Sequence, residues 1–225
     1  MDTDNKLAEG FKNPGSLTRW VKYFLYLQII ISVIALVSGY MEYQLLTDYS
    51  NNVYTSQAQA TADAEANDAR QGVIGIIQLV IFIVSGFLIL KWIYRANYNA
   101  RQLGAEDMRF TPGWSIGWYF VPIATFWKPY QAMKEIYKAS HTPDNWKDTE
   151  VPSMLPWWWF FWIISSLMGN ASFRVTMRAQ KLDELIAADV LTFVSDILSI
   201  PLALLTTNLI RTNLIRTPII NLTRT

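Results

Sequence analysis

The chain has 225 residues, of which 52% are apolar, 14% aromatic and only 16% charged; soluble domains carry about 25% charged residues. A net charge of +1 supplies no basic face to meet phosphates, which argues against nucleic acid as a partner. The absence of cysteine excludes disulfides, thiolate catalysis and cysteine-ligated zinc.

Residues 1–19, with Gly10, Pro14 and Gly15, read as a flexible cytoplasmic amino-terminal segment. Ser16-Leu17-Thr18 then starts a helix, with Trp20 as an interfacial aromatic. Lys6, Lys12, Arg19 and Lys22 outnumber Asp2, Asp4 and Glu9, which places this end inside, because basic residues stay on the cytoplasmic face. The apolar run 21–41 exceeds a signal-peptide core of about 7–15 residues and reads as a retained anchor. Residues 42–71 carry Glu42, Asp48, Asp63, Glu65 and Asp68 against Arg70 alone, which suits the outer face. Their alanine-rich part, 56–70, favours a helix by propensity but has no apolar stripe.

The second span, 72–94, ends in Lys91, Trp92, Tyr94 and Arg95, and Asn97, Asn99 and Gly104 mark the end of its helix. Residues 113–127 have an apolar core of about fifteen residues interrupted by Pro122, short for a crossing that needs about twenty. A short tilted span, a re-entrant helix and an interfacial helix are the alternatives. Gly113 and Gly117 would let a neighbouring helix approach closely, although that spacing is common. Pro129 suits a first helical turn. Tyr130, Met133, Ile136 and Tyr137 then share one face, with Lys134, Glu135 and Lys138 elsewhere, as in an amphipathic interfacial helix. His141, the single histidine, reads as a solvated loop residue, with no nucleophile elbow to accompany it.

The run 154–170 opens on Trp157, Trp158, Trp159 and Trp162, an indole cluster suited to the headgroup layer. Arg174, Arg178 and Lys181 precede the last apolar run, 187–210, which contains Asp189, Asp196 and Pro201. The basic tail, 211–225, holds Arg211, Arg216 and Arg224, and TNLIR at 207–211 recurs at 212–216 without a physical account.

The pattern predicts an all-α fold: a polytopic transmembrane helical bundle forming one domain over 20–210. It has four full spans, 21–41, 72–94, 154–170 and 187–210, plus one short Pro-containing membrane-embedded helix at 113–127. Five spans are the alternative. Each count violates the charge rule once: four spans put Arg174, Arg178 and Lys181 outside, and five put the basic tail there.

The sharpest candidate site is a polar stripe on the last span. Asp189, Thr192, Asp196 and Ser199 recur at helical spacing. A carboxylate at bilayer depth is costly and faces a bundle interior or water. It would serve a proton or cation relay; otherwise Asp196 bonds Gln28 or Gln78, and Asp189 lies in the headgroup layer. No metal site, cofactor or catalytic set is expected.

The second candidate is the segment from Trp92 to Glu135. Trp92, Asn97, Pro112, Trp114, Gly117, Trp118, Pro122, Pro129 and Glu135, within Pro112-Gly113-Trp114, Gly117-Trp118-Tyr119-Phe120-Val121-Pro122, Trp127-Lys128-Pro129 and Met133-x-Glu135-Ile136, resemble the bacterial membrane family called domain of unknown function 4328. The resemblance covers roughly residues 75–205, with 112–140 its specific part. It implies an all-helical protein of the bacterial cytoplasmic membrane, and no activity or catalytic residue. The expected role is non-enzymatic: a scaffold, sensor or accessory subunit presenting the aromatic-rich 112–140 segment to a partner or to lipid headgroups. The alternatives are a small oligomeric transporter or channel using the polar stripe, and a membrane effector in stress or phage defence. Expected partners are the lipid bilayer and a second copy or another membrane protein.

Overall fold

The computed structural model describes residues 10–213, whose regular structure is all helical with no strand. The helices are α1 (Gly15–Ser50), α2 (Gln57–Gln102), α3 (Pro112–Gly117), α4 (Lys128–His141), α5 (Met154–Thr176) and α6 (Leu182–Asn213), with short 3-10 turns at Trp118–Phe120, Ala124–Phe126 and Pro143–Asp148. The basic tail and the second TNLIR copy lie largely outside the described residues.

Three of the helices, α1, α2 and α6, are long and apolar enough to cross a membrane. Their apolar windows are mostly uncovered: Ile76 is 66% and Phe82 65% exposed. In water such a surface would be a liability, whereas in lipid it is the ordinary outer face of a span. Helix α5 has 23 residues, about 34 Å at ~1.5 Å per residue. Its four opening indoles lower its mean hydropathy, so length and composition alone identify three spanning helices rather than the four expected.

The expected helix over 113–127 does not form. Helix α3 stops at Gly117, a 3-10 turn follows, and the chain breaks at Val121–Ile123. Pro122 has no N–H to donate and disfavours helical geometry in the residue before it. Val121 is accordingly extended, and Ile123 has φ +67°. Five crossings would need one rod here, and this stretch is a folded turn.

Helix ends follow local chemistry. Gly104 (φ +98°) closes α2: its N–H bonds the carbonyl of Arg101 at 3.1 Å, and Ala105 N–H bonds that of Ala100 at 3.1 Å. This paired closure requires a left-handed residue, which glycine adopts without strain. Asn52 (φ 55°) plays the same part after α1.

The described residues divide into two compact units. One comprises 24–84 and 160–204. There, α5 and α6 run antiparallel through Ser172–Thr192 at 2.7 Å and a bond from the Ser165 hydroxyl to the Leu198 carbonyl at 3.4 Å. Ser32 of α1 meets Ser199 of α6 at 2.8 Å. Residues 57–71 extend α2 as regular helix, as their propensity indicates, and Asn67 and Gln71 bond back to Glu42 of α1.

The other unit comprises the described residues 10–23, 85–159 and 205–213. Its core buries Val21, Trp92, Ile93, Met133, Ile136, Leu155, Trp158 and Leu209. The apolar face expected on 130–140 therefore packs into the chain's own core. The 11–14 stretch, expected to be flexible, is fastened. Asn99 accepts from the Lys12 N–H at 3.0 Å and donates to the Lys12 carbonyl at 2.8 Å, and Arg95 donates to the Asn13 carbonyl at 3.2 Å. Asn13 in turn caps the start of α1 by accepting from Gly15 N–H at 2.8 Å. Asn99→Ala removes two bonds worth roughly 1 kcal/mol each, which frees the segment about 30-fold. Trypsin should cleave after Lys12 correspondingly faster in this variant, and an unchanged cleavage rate would refute the clamp.

Candidate functional site

The polar stripe of α6 faces neighbouring helices of its unit. Asp189, Thr192 and Asp196 line a cleft of about 300 Å³ together with Glu42, Gln71 and Gln78. Gln78 donates to Asp196 Oδ1 at 2.9 Å, and Gln71 donates to Glu42 Oε2 at 2.6 Å. Thr192 is held by Ser172 and by its own Ala188 carbonyl. Asp189 has no hydrogen-bond partner among the described residues, and its Oδ1 sits over Gly39, where the missing side chain opens the space. Ser199, the fourth stripe residue, leaves the cleft and bonds Ser32. Arg70, outside the lining, donates to Ser38 at 2.9 Å and to Asn67 at 2.5 Å.

Glu42 and Gln71 were not expected as members of this site. The sequence signal was available in the hairpin register: a short link between two long helices sets residues near 42 opposite residues near 70. The cleft thus holds three carboxylates and two amides, a donor set suited to a proton or another small cation. Among the described residues, no group of three metal-ligating side chains converges closely enough to hold a metal ion.

The second candidate separates into two structural tasks. Asn97 and Glu135 are buried, 0% and 5% exposed. Glu135 accepts from the peptide N–H groups of Arg109 and Phe110, each at 3.0 Å. Asn97 donates to the Phe110 carbonyl at 2.8 Å and accepts from Arg101 Nε at 3.2 Å. Arg101 then donates to the carbonyls of Met108 and Phe110 at 2.9 and 3.0 Å. The loop 108–110 is gripped on both its donor and its acceptor groups. Trp92 and Pro129 pack in the adjacent core.

Pro112 opens α3 behind a Thr111 cap, whose hydroxyl accepts from Trp114 N–H at 3.3 Å. Trp114 and Trp118 pack with ring centroids 4.9 Å apart and planes tilted by 35°. Gly117 faces the Trp114 ring, and a Cβ there would lie 3.1 Å from it, so this glycine serves a close contact within its own segment. Pro122 sits in the exposed turn after Val121. Arg101 and Asn99 are the members of this region that sequence reasoning missed.

The fold defines an all-helical protein with several helices apolar enough for a membrane. The chain belongs to the family described as a domain of unknown function (DUF4328), which matches residues 55–213. The match is wider than the resemblance indicated and takes in the alanine-rich start of α2. No curated protein and no solved structure matches the chain.

Glu135→Gln removes the charge from two charge-assisted bonds and should lower stability by about 2 kcal/mol; Glu135→Ala should cost more, on the order of 3 kcal/mol. Thermal unfolding in detergent, followed by tryptophan emission, measures both. Equal midpoints for all three proteins would show that the buried carboxylate is idle.

Proposed function

We propose that this chain is a multi-pass integral membrane protein of the bacterial cytoplasmic membrane that works as a scaffold or accessory subunit, without catalysis of its own. The observation that carries this reading is the grip on loop 108–110. Asn97, Arg101 and Glu135 direct their hydrogen bonds at backbone, so they build a rigid base rather than face a substrate. That base displays α3 and the following turn, with Trp114, Phe120, Ile123, Phe126 and Trp127 exposed. The presented surface is 114–127, because Met133 and Ile136 are buried.

Four crossings, α1, α2, α5 and α6, with both ends cytoplasmic, fit this role. Helix α5 is bonded along its length to α6, which has membrane length, so the two share one solvent layer. Single cysteines at Asn52, Asn145 and Arg178 test the count in intact spheroplasts. Asn52→Cys and Arg178→Cys should react with an impermeant maleimide, and Asn145→Cys should react only after lysis. A protected Arg178→Cys would remove α5 from the crossings.

The acidic cleft supports a second reading, transport of a proton or small cation. Proteoliposomes with an internal pH dye discriminate the two. If the cleft conducts, Asp196→Asn should abolish proton flux while leaving insertion intact. Absence of flux above that of empty vesicles would retire this reading and leave the scaffold.

A further inference from the structure

The surface displayed by loop 108–110 has a chemical character that identifies what covers it. Between Arg109 and Lys128 no residue is charged. The turn that ends this stretch carries apolar groups outward: Phe120 is 72% and Ile123 71% exposed. Irregular backbone is normally barred from lipid because its N–H groups go unpaired. Here four consecutive N–H groups of the turn are paired within it. The N–H groups of Ala124, Thr125, Phe126 and Trp127 bond to the carbonyls of Pro122, Val121, Ile123 and Ala124 at 2.7, 3.0, 3.1 and 3.2 Å. The Thr125 hydroxyl donates to the Tyr119 carbonyl at 3.2 Å, and Pro122 has no N–H to satisfy.

The turn is also held in place. The Trp159 indole N–H donates to the Phe126 carbonyl at 3.1 Å. The Lys128 ammonium lies 5.5 Å from the Trp118 ring and 5.8 Å from the Phe110 ring, and the Arg109 guanidinium lies 5.9 Å from the latter. Two cations thus flank an uncharged, apolar projection. Basic side chains beside an apolar insert reach for lipid phosphates while the insert enters the acyl boundary.

Resting on the membrane reading above, we infer that residues 118–127 form a wedge that inserts from one side into the bilayer interface, with Phe120 and Ile123 at its tip and Arg109 and Lys128 on anionic headgroups. It covers its own surface with lipid and crosses nothing.

The full chain contains no cysteine, so single probes are clean. Phe82→Cys, Ile123→Cys and Asn145→Cys are labelled with the NBD fluorophore and reconstituted into phosphatidylcholine vesicles containing about one-third phosphatidylglycerol. The Ile123 probe should emit to the blue of the Asn145 probe, and lipid spin-labelled near the headgroup should quench it at least twofold. Spin-labelled phosphatidylglycerol should quench it more than spin-labelled phosphatidylcholine. Phe82, on the spanning part of α2, should be quenched by lipid labelled deep in the acyl chain, and Asn145 by neither. A water-like Ile123 probe beside a quenched Phe82 probe would overturn the wedge and leave the membrane reading intact. A blue-shifted Ile123 probe that lipid labels fail to quench would overturn it in favour of a protein cover. Equal quenching by the two headgroups would overturn the anionic contact, and an unquenched Phe82 probe would overturn the membrane reading itself.

Discussion

A carboxylate taken out of water is tolerated only where donors replace the water it lost. Glu135 meets that condition with two peptide N–H groups, and the arrangement of its unit follows from it. The same stretch of backbone offers its carbonyls to Asn97 and Arg101. Three side chains from α2 and α4 therefore fix one loop, and that loop sets the direction in which α3 departs. The aromatic groups beyond it are placed by polar contacts two residues upstream of the α3 start. Apolar packing around Met133 and Ile136 closes the base and keeps water from competing for those bonds.

The other unit is organised by a different economy of contacts. Between spans, apolar side chains gain little from meeting one another, because lipid is as apolar as they are. The helices there are joined by short polar side chains: Ser32 with Ser199, Ser172 with Thr192, Ser165 with a carbonyl. Pro201 lies just beyond the Leu198 carbonyl that receives Ser165, in a part of α6 where the regular ladder is interrupted. The polar cleft is the wider part of the same seam, where Gly39 and Gly75 leave room for the carboxylates of α1 and α6.

The apolar runs made the long helices legible before any coordinates, and the asparagines and Gly104 marked the end of α2. The interaction of Asp196 with Gln78 was one of two partners foreseen for it. Three features were not legible. The break at 121–123 depends on how Val121 and Ile123 adapt around one proline, whereas apolarity alone reads the whole stretch as a rod. Periodicity correctly grouped Met133 with Ile136 but could not say whether they faced the chain or a partner. Glu42 entered the cleft through pairing between two helices, a relation that a single-helix pattern does not contain. Helix α5 was read as a full span, yet its tryptophans lower its mean hydropathy: an indole combines a large apolar surface with a polar edge, so averages undervalue it.

The hydroxyl pairs that join the long helices have an evolutionary corollary. In each of Ser32–Ser199 and Ser172–Thr192 a hydroxyl meets a hydroxyl, and Ser199 and Thr192 also donate to the Asp196 and Ala188 carbonyls of their own helix. Serine and threonine each carry donor and acceptor on one oxygen. They can therefore drift into one another at these four places without either helix having to re-aim a donor, a latitude denied to Gln78 and Asp196, whose roles cannot be exchanged.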